Sequence, residues 1–153
     1  MTIKKVLIGI AVLFLLIQFI RVDKINPPVD PTKDFIVMTN APKEVVEILK
    51  QSCYDCHSNE TVYPWYFHIA PVSWWAKDHV NDGRKHLNFS VWGDFKEQRK
   101  VKKIDECYME VEEDQMPLSS YTIIHGSAKL TMEQKATLVS WFQSLGGEAI
   151  IKK

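Results

Sequence analysis

Cys53-Tyr54-Asp55-Cys56-His57 is the stretch of this 153-residue chain on which its reading turns. Two thiols three positions apart on a helical turn reach the same side of the backbone. Such a pair can take the two vinyl groups along one edge of a porphyrin. The histidine that follows then lies under the iron as an axial ligand, which is the attachment pattern of a c-type haem. Three other readings fare worse. A zinc site would need two further ligands, and the only other cysteine is Cys107, so scattered histidines would have to complete it. A thioredoxin-like redox pair belongs in a βαβ context, and no alternating strand pattern occurs here. A pair that merely packs or oxidises leaves His57 unexplained.

Outward from the motif, the periodicities are helical. Ala41-Pro42-Lys43-Glu44 reads as a helix start, and Val45, Ile48, Leu49 and Ser52 share one face, so a helix to about Gln51 delivers Cys53 near its end. Asn59 to Phe67 reads as a loop. A second helix is expected from Pro71, with Val72, Trp75, His79 and Val80 on one side and Gly83 as its stop. A third is expected over Lys96 to about Glu113, carried by Val101, Ile104, Tyr108 and Val111. Thr131 and Gln134 form a capping-box pattern for the last helix, whose buried stripe is Leu138, Trp141, Phe142 and Leu145 and whose terminator is Gly146-Gly147. The class is all-α: a helical domain enclosing one haem.

Haem iron has a second axial position. The methionines beyond the first segment are Met38, Met109, Met116 and Met132, and the other histidines are His68, His79, His86 and His125. Met116 is the preferred distal ligand, with a histidine as the main rival, because Pro117 stiffens the loop it occupies between two helices. Met109 fits core filling on a helix better. Cofactor contacts are therefore assigned to Cys53, Cys56, His57 and Met116, with His57 the proximal and Met116 the distal iron ligand. Tyr63, Pro64, Trp65, Tyr66, Phe67, Trp74 and Trp75 form an aromatic belt just after the motif, expected to wall the pocket. Pro64 or Pro71 is the expected site of the carbonyl that orients His57. Cys107 reads as a buried thiol and His125 as structural.

The chain opens with Lys4 and Lys5 before an apolar run from Val6 to Ile20, broken only by Gln18 and ended by Arg21 and Asp23. A basic start followed by an apolar run directs export. The choice is between a cleaved signal peptide and a retained anchor, and because no small-residue cleavage pattern follows, residues 1–22 are read as a retained single-pass anchor in preference to a cleaved peptide. Pro27, Pro28 and Pro31 make 23–34 a stiff spacer, 35–147 the haem domain and 148–153 a tail. These boundaries place the anchor in the inner membrane and the domain in the periplasm. The 19 basic and 19 acidic side chains balance, which argues against nucleic acid as a partner.

The order of helix, Cys-x-x-Cys-His, intervening helices, Met-Pro loop and Trp-bearing last helix resembles class I cytochromes c. Closer still, Cys53–Asn59, Tyr63–Tyr66, Ala70–Trp74, His86–Ser90, Met116-Pro117-Leu118 and Tyr121 with His125 resemble the bacterial haem-binding domain family, which the resemblance places mainly in Bacteroidetes. It spans roughly Phe35 to Leu145 and implies a c-type haem in an exported domain. The expected function is one-electron transfer with periplasmic or membrane redox partners, by a carrier rather than an enzyme. A haem-based sensor or gas-binding module, and a peroxidase-like domain with a displaced sixth ligand, stay open as alternatives.

Overall fold

The computed structural model describes residues 2–151, and side chains as far as residue 146. Among them there are helices and turns and no strand: α1 (Ile3–Ile17), α2 (Phe35–Met38), α3 (Lys43–Ser52), α4 (Tyr54–His57), α5 (Val72–His86), α6 (Glu97–Glu112), α7 (Ser119–Thr122) and α8 (Met132–Ile151), joined by short 3₁₀ turns. The all-α expectation holds. The capping box before α8 forms as expected: the Gln134 amide donates to Thr131 Oγ1 at 3.1 Å, and the Thr131 amide donates to Gln134 Oε1 at 2.9 Å.

The core is aromatic at its centre. Phe35 is stacked on Phe89 at 4.9 Å and meets Trp92 and Trp141 edge-on, while Tyr54 stacks on the other side of Phe89 at 5.2 Å. Val45, Ile48 and Leu49 of α3, Ile104 and Val111 of α6, and Leu138 and Phe142 of α8 close around this stack. Helices α6 and α8 pack along each other, and α3 packs on α8. Tyr54 sits in the core with its hydroxyl donating to Asp34 Oδ1 at 2.9 Å. The Cys-x-x-Cys-His motif therefore grows directly out of the hydrophobic centre.

Three expectations are corrected here. The segment expected to cross a membrane is helical for 15 residues only, Ile3–Ile17. At 1.5 Å per residue it is about 22 Å long, against a hydrocarbon core of about 30 Å. Among the described residues, no helix is long and apolar enough to cross a membrane. The apolar run continues past Ile17, but the α-helix does not, and where it ends Gln18 ties the chain to the domain: its Nε2 donates to the Ala70 carbonyl at 3.0 Å and its Oε1 accepts from the Ala70 amide at 2.9 Å. Second, the Pro-rich segment does not stand off as a spacer but lies along the domain. Asn26 Nδ2 donates to the Thr61 carbonyl (2.8 Å) and Asn59 Nδ2 to the Pro28 carbonyl (3.1 Å), and just before the segment Trp74 Nε1 donates to the Ile20 carbonyl (2.8 Å). Third, neither glycine signal stops its helix. Helix α5 continues through Gly83 to His86, and α8 runs past Gly146, which is buried where α8 crosses α6.

Candidate functional site

Helix α3 ends at Ser52, and one further turn, α4, carries the motif. The Cys56 and His57 amides both donate to the Cys53 carbonyl, at 3.2 and 2.9 Å, so the two thiols stand one turn apart. All three cysteines are free and partly buried. Burial pushes the Cys53 thiol up to about 12, with the Cys56 charge adding to it. It pushes Cys56 up to about 11, with help from the Asp55 charge. Cys107 is raised by burial as well. These are protonated, apolar thiols rather than standing thiolates.

His57 is held from behind by the C-terminal end of α5. Its Nδ1 lies 3.1 Å from the Leu87 carbonyl oxygen and 3.2 Å from that of Gly83. Carbonyls only accept, so Nδ1 carries the proton and Nε2 keeps its lone pair. Burial lowers the pKa of this imidazole, which favours the neutral form that a metal ligand needs. The orienting carbonyls are thus those of Gly83 and Leu87, and not ones near Pro64 or Pro71. Gly83 is glycine for a packing reason: a Cβ there would stand 2.7 Å from the Cys56 carbonyl oxygen.

Cys53, Cys56 and His57 open onto one cavity of about 410 Å3, within the range of cofactor pockets. Phe89 forms part of its floor, and Val111 and Phe142 line it from α6 and α8. Met116, Pro117 and Leu118 line it from the loop after α6, so the preferred distal candidate shares the cavity with the motif. That loop is placed by the end of α6. Asp114 takes a left-handed φ of 56°, and the amides of Gln115 and Met116 both donate to the Glu110 carbonyl, at 2.9 and 3.0 Å. His79, His86 and Cys107 also line the cavity, and Lys103, paired with Glu106, gives it a cation. His68 is away from it, against Lys24.

The aromatic belt is not the wall of this cavity. Tyr66 and Phe67 form a separate small core with Ala76 and Val80, against which Cys56 and Tyr63 pack. Trp65 is 72% exposed and Trp75 47%. The wall comes instead from Leu87, Phe89, Val111 and Phe142, which arrive from later in the chain. His125 is not among the residues that line this cavity; its Nε2 meets the Tyr66 hydroxyl at 2.8 Å.

A cavity presenting two thiols one turn apart beside a neutral, backbone-oriented histidine has the donor set for haem. A family model described as "Haem-binding domain" matches residues 12–144. The chain belongs to that family. The match covers the attachment motif, the loop of Met116 and most of α8, and it reaches back to include Gln18 and the Pro-rich strap. No curated protein and no solved structure matches this haem-binding domain.

Proposed function

We propose that this haem-binding domain is a monohaem c-type cytochrome that carries single electrons. In this reading Cys53 and Cys56 would hold the haem covalently, and His57, through Nε2, and Met116 would be the residues that ligate its iron. The observation that carries it is the shared cavity: both thiols, His57 with its Nδ1 proton committed to two carbonyls, and Met116 on a separate loop all line one space. When bound, the haem supplies a one-electron couple whose potential is raised by histidine–methionine ligation relative to two nitrogens. The chain's own part is to orient His57, to keep water out with Phe89, Val111 and Phe142, and to hold the sixth position filled.

Met116 is favoured over the histidines by where the elements lie. His79 and His86 are on α5, the helix whose carbonyls back His57, and the Nδ1 of His79 already faces the Trp75 carbonyl at 2.8 Å. Met116 comes from a wall that α5 does not build. Export to the periplasm is part of the proposal, supported by Lys4 and Lys5 preceding an apolar segment. The partners are then redox proteins of that compartment or its membrane, and the domain is a carrier rather than an enzyme.

The test is a visible spectrum of the chain produced with cytochrome c maturation, beside Met116→Ala. Colour should survive acid–acetone extraction. The ferric wild type should show the far-red methionine-to-iron charge-transfer band, and the variant should lack it and bind carbon monoxide when reduced. Haem lost to extraction would sink covalent attachment. An unchanged six-coordinate spectrum in the variant would exclude Met116, and a wild type that binds carbon monoxide as readily as the variant would favour gas binding.

A further inference from the structure

Asp55, one of the two residues between the thiols, spends its polar atoms unevenly. Its carbonyl accepts from Thr61 Oγ1 at 2.6 Å and its Oδ1 accepts from the Val62 amide at 3.0 Å, which closes its own loop. Its Oδ2 reaches across the molecule and accepts from the Tyr121 hydroxyl at 2.7 Å. Tyr121 sits on α7, five positions after Met116, and lines the large cavity beside Met116, Pro117 and Leu118. Its ring stacks on His125 at 4.3 Å, and His125 is in turn bonded to Tyr66. The loop bearing Met116 is thus fastened at one end to Glu110 of α6 and at the other to the attachment motif itself.

We propose that Tyr121 and Asp55 form a latch that holds the distal loop closed over the haem and keeps Met116 on the iron. The inference rests on the haem reading above and goes beyond it by naming what retains the sixth ligand. A thioether is a weak ligand, so its occupancy depends on how firmly the backbone presents it. The Tyr121–Asp55 bond is short and partly buried, and a carboxylate acceptor makes it one of the stronger kinds. Tyr121 and Asp55 act through Met116, and are positioning residues.

Carbon monoxide reports the latch, because it binds ferrous iron only when Met116 is off. Its apparent affinity then scales with the open fraction. Tyr121→Phe removes the hydroxyl and keeps the ring on His125. Loss of a hydrogen bond to a charged group corresponds to a rise of about 10–100-fold in the open population, read as the same rise in carbon monoxide affinity. Asp55→Asn should give a smaller rise, because its amide can still donate to the Tyr121 oxygen, and adding it to Tyr121→Phe should raise the affinity little further. Backbone hydrogen exchange over residues 115–125 should quicken in Tyr121→Phe while that of α8 stays unchanged. A wild type with the methionine charge-transfer band, together with a Tyr121→Phe affinity within twofold of it, overturns the latch and leaves Met116 ligation standing. A wild type without that band that takes up carbon monoxide freely overturns both.

Discussion

Gly83 meets Cys56 backbone to backbone: a Cβ on Gly83 would come within 2.7 Å of the Cys56 carbonyl oxygen and 3.1 Å of its carbon. The Gly83 carbonyl also lies 3.2 Å from His57 Nδ1. The missing side chain of Gly83 thus sets the approach of α5 to the Cys-x-x-Cys-His turn, and its carbonyl, together with that of Leu87, fixes the tautomer of His57. Gly83→Ala improves helix propensity by about 1 kcal/mol, but its methyl group cannot be housed without pushing α5 off the motif. Overpacking of this kind costs about 1–3 kcal/mol. The expected net result is a lower urea midpoint for the haem-free chain and a shifted midpoint potential for the haem-loaded one. An unchanged potential with intact stability would show that the close approach is not needed.

The cavity wall yields a contrast between two aromatic residues. Trp65 belongs to the belt beside the motif but is 72% exposed, whereas Phe142 is 2% exposed and lines the cavity from α8. Trp65→Ser should leave stability within about 0.5 kcal/mol and the haem spectrum unchanged. Phe142→Ala should cost about 3–5 kcal/mol, and the milder Phe142→Leu should move the Soret maximum or potential while keeping the fold. Equal spectral effects from Trp65→Ser and Phe142→Leu would return the belt to the wall.

What could be read from the chain beforehand divides along physical lines. Helices α3, α6 and α8 were legible because their apolar positions recur at three- and four-residue steps and because Thr131 and Gln134 announce a cap. The Cys-x-x-Cys-His motif, and a Met116 that lines the same cavity, were legible because spacing and proline context are local properties. The wall was not, since Leu87, Phe89, Val111 and Phe142 come together only through packing between distant segments. The orienting carbonyls of Gly83 and Leu87 carry no side-chain signal at all, although a glycine that fails to end its helix is itself a sign of close approach. The strap was hidden because Pro27, Pro28 and Pro31 report extended backbone and say nothing of what it lies against. There, Gln18 in an apolar run was the signal available.

Cys53 and Cys56 contribute to the alkaline limit of the haem-free chain. Folding raises Cys53 from 9.0 to about 12 and Cys56 from 9.0 to about 11, in both cases mainly through burial. The folded values lie above the unfolded ones, so as pH rises the unfolded chain gives up its protons first. Their contribution is therefore complete below about pH 9 and is lost as pH climbs towards 11–12, by up to about 1.4 kcal/mol per thiol per pH unit. Cys107 and the buried tyrosines act in the same direction, so the comparison must cancel them. Urea midpoints at pH 8 and 10.5 should fall further for the wild type than for Cys53→Ala/Cys56→Ala. Equal falls in the two chains would remove the thiols from the alkaline transition.

Arg84 makes the strap part of the site's support. Its Nε donates to the Ser58 carbonyl at 2.7 Å, next to His57, while its Nη2 donates to Asn26 Oδ1 at 2.7 Å and to Thr61 Oγ1 at 2.8 Å. Thr61 in turn donates to the Asp55 carbonyl at 2.6 Å, so the Pro-rich segment, α5 and the attachment loop share one guanidinium. Lysine offers a point charge and cannot span three acceptors in a fixed fork. Arg84→Lys should therefore lose most of what Arg84→Ala loses, about 1.5–3 kcal/mol for bonds to a charged donor. Asn26→Ala should lose less, since it removes one acceptor from the fork and one amide donor to Thr61. Thermal melts of the three variants decide the matter: an Arg84→Lys melting point equal to wild type would mean that charge alone, and not the forked geometry, ties the strap to the loop that follows His57.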